Sequence, residues 1–282
     1  MKLYNLNDLY LLHPNKAVAA INVSNMESVM AVLEVANELD EPVILQVSPL
    51  QIYSQKITYE IIVKIIKLIG EKYNIDIAIH LDHADSYQEC KKAIDSGFTS
   101  VMFDGSTISY EENVKISKQI VEYAKLNNVT VEAELGKVGG TEGENVNNED
   151  MYLTKVEEVE DFVNKTNVDL LAIAIGNAHG FYKGTPNINI TRLKEINSIA
   201  NIPLVLHGGT GISDEVLVEC TNNGIKKVNI FTEVDSAYVN TFYNEVSKEP
   251  KIYMMKVSEL SRQAMMSVIR KKILTISKGE IQ

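Results

Sequence analysis

The chain has 282 residues, 45% of them hydrophobic, and a formal net charge of −11. That acidity repels nucleic acid and anionic membranes, so neither is an expected partner, and an anionic substrate needs local positive charge or a metal at its site. No apolar run reaches the length of a membrane span, and MKLYNLNDLY lacks the cationic start and apolar core of a leader, which predicts a cytoplasmic protein.

Taken in order, eight short apolar, β-rich runs are predicted as strands. They cover residues 17–23, 43–47, 77–81, 100–103, 130–135, 170–175, 203–206 and 227–231. Amphipathic stretches separate them. Ile61, Ile62, Ile65, Ile66 and Ile69 share one helical face, with Lys64 and Lys67 off it. Strands alternating with helices imply parallel pairing, and eight such units predict an α/β fold, a single (β/α)8 TIM barrel. No linker or repeat interrupts the chain, so residues 1–282 are expected to form one barrel domain ending in C-terminal helices. Capping boxes are predicted at Ser24/Glu27, Ser86/Glu89, Ser109/Glu112 and Thr154/Glu157. Cys90 and Cys220 fall in predicted helices and fit no metal or redox spacing, so they read as buried free thiols. The long, glycine-rich, acidic connection 136–151 (GKVGGTEGENVNNEDM) follows the fifth run. It is predicted to be a mobile lid.

The strand ends carry the chemistry. Barrel enzymes draw catalytic residues from the C-terminal ends of several strands. Three of the five histidines stand at such ends: His83 in IAIHLDHAD, His179 in LAIAIGNAHG and His207 in PLVLHGGTG. Three imidazoles from three strand ends suit a catalytic zinc with an open fourth position, while cobalt, iron and manganese also accept such donors. Asp104 and Glu134 close two further strands. Each is either a partner orienting a histidine or a ligand at an alternative metal position. Asp82 directly precedes His83 and reads either as a general acid/base or as an orienting group. His80, inside its strand, reads as a buried supporting residue. Gly180 follows His179, and Gly208, Gly209 and Gly211 surround Thr210. Glycines here let backbone N–H groups approach an anion, and barrels often bind phosphate after strands seven and eight. Lys183 in HGFYKG adds positive charge, and Asn229–Ile230–Phe231–Thr232 forms the second phosphate turn. A metal beside a phosphate nest points to carbon–carbon lyase or isomerase chemistry on a ketose phosphate.

These motifs resemble the class II, metal-dependent ketose-bisphosphate aldolases. The resemblance runs through AVAAINVSNMESV, LDHADS, GFTSVMFDGS, VEAELGKVGG, AIGNAHGFYKG, PLVLHGGTGI and KVNIF-T, nearly the whole chain. It is nearest the bacterial fructose- and tagatose-bisphosphate branch. It implies Zn2+ on His83, His179 and His207, with Asp104 and Glu134 at a second or displaced metal position; another divalent metal and a monovalent cation also fit the family. It makes Asp82 the acid/base and Glu142 the lid residue that moves a proton at carbon. Phosphate contacts map to Gly180, Lys183, Gly208, Gly209, Thr210 and 229–232. The implied reaction is reversible cleavage of fructose or tagatose 1,6-bisphosphate to dihydroxyacetone phosphate and glyceraldehyde 3-phosphate, by a homodimer or homotetramer. A 6-phospho-5-dehydro-2-deoxygluconate aldolase and a metal-dependent hydrolase on the same barrel are the alternatives. A Schiff-base aldolase needs a lysine at a strand end, and neither Lys137 nor Lys227 is well placed. The sequence departs from the family at Thr210 (usually serine), Phe231 (usually small or acidic) and Ile21 (usually phenylalanine).

Overall fold

The computed structural model describes residues 1–140 and 153–281. Its order is β1 (Lys2–Leu3), α1 (Leu6–Leu12), β2 (Val18–Asn22), α2 (Met26–Leu39), β3 (Val43–Val47), α3 (Pro49–Ser54), α4 (Tyr59–Gly70), β4 (Asp76–Ala84), α5 (Tyr87–Asp95), β5 (Ser100–Phe103) and α6 (Tyr110–Leu126). Then follow β6 (Thr130–Leu135), α7 (Val156–Thr166), β7 (Leu170–Ile173), α8 (Ile190–Ala200), β8 (Leu204–Leu206), α9 (Asp214–Asn222), β9 (Ile225–Ile230), α10 (Thr232–Lys248), α11 (Met254–Ile273) and a π-helical turn, Leu274–Lys278. Strands β2 to β9 pair in parallel in chain order, and β2 pairs with β9, so the sheet closes into an eight-stranded barrel with helices between the strands. No helix among the described residues is long and apolar enough to cross a membrane. Cys90 and Cys220 are buried and free.

The period of two along each strand divides the core. Outward positions such as Ala19, Ile21, Leu45, Ile79 and Val101 pack under the helices in one large cluster. Inward positions fill the lumen in layers. The lower layer is apolar: Val18, Ala20, Ile44, Ala78, Met102, Leu170, Ala172 and Val205. It is plugged from below by Leu6 and Leu9 of α1, both fully buried. Strand β1 anchors that plug by pairing Lys2 with Asp76 and Leu3 with Ile77 at the base of β4. The remaining inward residues are polar and buried: Asn22, Gln46, His80, Asp82 and His207 stand above the apolar layer, while β6 and β9 supply Glu132, Glu134, Lys227 and Asn229, with Glu132 and Lys227 in register with that layer.

Two of the four predicted capping boxes are replaced. Asn25 caps α2: its side chain accepts from the Ser28 N–H at 2.8 Å, and Ser28 Oγ accepts from the Asn25 N–H at 3.0 Å. The Ser24 hydroxyl instead accepts from Gln51 Nε2 at 2.8 Å, and Asn25 holds the cap position. Thr154 does not cap α7 either. Its hydroxyl donates to the Leu135 carbonyl and accepts from the Ala174 N–H, tying β6 to the segment after β7, and Lys155 takes the cap position. Ser86 and Ser109 do cap α5 and α6, but only the serine half of each predicted box forms; the Glu89 carboxylate instead accepts from Tyr53, Tyr59 and Lys92.

Candidate active site

The upper lumen gathers side chains from strands far apart in sequence. His83 Nε2 lies 3.1 Å from His179 Nε2 and 3.0 Å from His207 Nδ1. His83 comes from a distorted stretch of β4, where pairing with β5 shifts register between Leu81 and Ala84 and His83 takes φ 48°. A left-handed backbone at a non-glycine residue stores strain. Here it belongs to a bulge that turns the imidazole into the lumen beside Asp82 rather than alternating away from it.

Two of the imidazoles are oriented by their other nitrogen. His83 Nδ1 is 2.9 Å from Asp104 Oδ2. His207 Nε2 is 2.8 Å from Glu132 Oε1, and both residues are fully buried. A carboxylate only accepts, so the His207 proton sits on Nε2 and the lone pair on Nδ1 faces the other two rings. Sequence reasoning misses Glu132, because one acid inside an apolar strand carries no sign of its partner.

Asp82 is 1% exposed, and its Oδ1 is 3.9 Å from His83 Nε2. Asn22 Nδ2 and Gln46 Nε2 both donate to its Oδ2 at 3.1 Å, and Asn229 Nδ2 donates to Oδ1 at 3.0 Å. Burial pushes this carboxyl up, but the charges of His83 and Lys227 outweigh burial and hold it at about 2. Burial likewise opposes protonation of His83, yet Asp82 and Asp104 raise it to about 10. The acids therefore favour positive charge at the point where the three imidazoles meet. Burial and the neighbouring His83 charge lower His179 to about 4.

Glu134 lies at the same level. Its Oε1 accepts from the Val138 N–H at 2.9 Å, while its buried Oε2 has no hydrogen-bond partner among the described residues. Burial, with Asp104 adding to it, raises this carboxyl to about 8. His83, Asp104 and Glu134 form a second grouping that could hold a metal, beside that of His83, His179 and His207.

A narrow cleft opens beside the imidazoles, lined by His179, Gly180, Gly208, Thr210, Phe231 and Thr232 with Asn22 and Asn229. Gly208 has φ 64°, and a Cβ there would come within 1.9 Å of the Ala178 carbonyl oxygen. Only glycine allows that crossing of β8 over the segment after β7. Gly209 gives its N–H to the Asn229 carbonyl at 3.0 Å, so it shapes the nest by joining β8 to β9. The N-terminus of the 17-residue α10 starts at Thr232 on the cleft wall, a fixed positive end in an acidic protein. Ile230 and Ile21 are fully buried in the outer core, so neither side chain reaches the cleft. Lys183 is exposed and outside the cleft lining. Glu142 and most of the predicted lid lie outside the described residues. A larger groove of about 510 Å³ at the other end of the barrel is lined by Asn5, Lys118, Lys125, Asp169 and neighbours. None of the clustered imidazoles or carboxylates lines it, so the smaller cleft is the candidate site.

Comparisons with known proteins identify the family. The model of the class-II fructose-bisphosphate aldolase family matches residues 12–279. The chain belongs to that family. It is 42% identical over 239 residues to the fructose-bisphosphate aldolase of Geobacillus stearothermophilus, covering 84% of this chain and 83% of that one. It superposes on the YdjI aldolase of Escherichia coli K12 with a TM-score of 0.83 at 28% identity, covering 97% of each chain. Fructose-bisphosphate aldolase from Campylobacter jejuni gives 0.81 at 21% identity over 98% of this chain and 95% of that one, a likeness of fold. The protein is thus an aldolase, a carbon–carbon lyase acting on a sugar phosphate, from a family that is generally metal-dependent. The rival lysine mechanism finds no support: Lys227 is fully buried with its Nζ committed to Glu132 and Asn229, and it is not itself a cleft-lining residue.

Proposed function

We propose that this aldolase reversibly cleaves a ketose 1,6-bisphosphate, fructose or tagatose, using a divalent cation held by His83, His179 and His207. The observation that carries the reading is the placement of His83 Nε2 at 3.1 Å from His179 Nε2 and 3.0 Å from His207 Nδ1, with the Asp82 carboxylate 3.9 Å from it. The donor set fits the ion. Nδ1 of His207 is left unprotonated by the proton on Nε2, with the Asn229 amide nitrogen 3.2 Å from it, and three nitrogen ligands with an open position suit zinc. The orphaned Glu134 Oε2 beside Asp104 fits a second cation position, divalent or monovalent. When bound, the metal would act as a Lewis acid on the substrate carbonyl oxygen.

The protein's own groups do the rest. Asp82, held ionised and fixed by three amide donors, takes the C4 hydroxyl proton as the C3–C4 bond breaks and returns it in synthesis. Gly180, Gly208, Thr210 and Thr232, with the α10 N-terminus, hold a phosphate at the cleft. Glu142 is the proposed donor of the proton to carbon. The test is triose-phosphate release from fructose and tagatose 1,6-bisphosphates by zinc-loaded protein. Release from at least one supports the reading. Release from neither would move the substrate to another phosphorylated keto sugar.

A further inference from the structure

Lys227 has no place in the mechanism above, yet it is the least exposed lysine among the described residues. It sits on β9 below the site with 0% exposure. Its Nζ is 2.9 Å from Glu132 Oε2 and donates to Asn229 Oδ1 at 2.7 Å. Each contact continues upward. Glu132 Oε1 receives the His207 Nε2 proton, and Asn229 Nδ2 donates to Asp82 Oδ1. A lysine ammonium has donors only, so Asn229 must turn its carbonyl oxygen down to Lys227. Its amide nitrogen then faces Asp82. The same ammonium fixes the Glu132 carboxylate as the acceptor that holds the His207 proton on Nε2.

We infer that Lys227 is a positioning residue that sets two groups at once: the metal-facing lone pair of His207, through Glu132, and the acid/base carboxylate of Asp82, through Asn229. This rests on the functional reading given above. A buried ion pair kept only for stability would be replaceable, because removing both charges together is often harmless to folding. A positioning residue is not replaceable in that way, because the neutral pair cannot reproduce both orientations. After Glu132→Gln the new amide oxygen can still accept the His207 proton. After Lys227→Met no donor is left to fix the Asn229 amide.

The experiment compares Lys227→Met, Glu132→Gln and the double variant with the wild type. It reads kcat, KM, zinc retention against a chelating competitor, and the urea midpoint. Lys227→Met is expected to lower kcat by at least about 10-fold and zinc affinity by roughly 10–100-fold, the usual range for partners of metal ligands. KM should change much less than kcat. The double variant is expected to regain the wild-type urea midpoint and most of the zinc affinity while kcat stays low. Recovery of kcat together with stability in the double variant would make the pair merely structural and overturn the inference. So would wild-type kcat and zinc affinity in Lys227→Met. Should that single variant fail to fold, the charge-neutral double variant decides by the same kcat criterion. A wild-type chain that retains no zinc would instead overturn the functional reading, and the inference with it.

Discussion

At the scale of residues, the site rests on carboxylates whose surroundings give them different tasks. Asp82 has three amide donors and two cations nearby, which keep it ionised despite burial. Asp82→Asn leaves one acceptor oxygen for three donors and removes the base. It should lower kcat by about 10²–10⁴-fold with zinc content unchanged, as steady-state kinetics and metal analysis would show. Phe231 lines the cleft beside the phosphate turn, where the family tends to place a small or acidic side chain. Phe231→Ala should change the ratio of kcat/KM for fructose over tagatose bisphosphate by several-fold, measured with both sugars in one assay. An unchanged ratio would remove Phe231 from sugar selection. The strand-end histidines and acids were legible in the sequence, because each follows an apolar run at the barrel's active end. Glu132, Gln46 and Lys227 were not. Glu132 and Lys227 meet only when closure brings β6 and β9 together, and Gln46 faces Asn22 and Asp82 of the strands on either side, so a lone polar residue within a strand says nothing of what it will face.

At the scale of elements, the eight barrel strands were legible to within a few residues, because buried parallel strands read as continuous apolar runs. Strand β1 and helix α1 were not. Two residues of strand leave no pattern, and the role of α1 appears only when the barrel closes above it. Leu9 then fills the floor of the lumen with Leu6, at 0% exposure. Leu9→Ala should cost about 2–5 kcal/mol in urea unfolding, the usual penalty for a buried leucine. Turnover per folded molecule should barely change, since Leu9 packs in the apolar floor and is not among the metal-facing or cleft-lining residues. A loss under about 1 kcal/mol would mean that α1 is not a plug. The caps misread at Ser24 and Thr154 share one cause. Their hydroxyls are taken by tertiary partners, Gln51 in one case and the ends of β6 and β7 in the other, and local pattern cannot foresee that.

At the scale of the whole molecule, one gradient links fold and function. The lumen is apolar at its base, carries a buried ion pair at mid-height and opens onto imidazoles and carboxylates at its top. The net charge of −11 would repel a bisphosphate. The local answer is a helix N-terminus and a cluster of acids that calls for a cation. The most direct test is therefore to strip the protein with EDTA, confirm metal loss, and titrate zinc back while following triose-phosphate release. Cleavage should vanish with the metal and return to a plateau at about one zinc per chain, as three histidines with one open position require. Full cleavage by the stripped protein would contradict the metal-centred site.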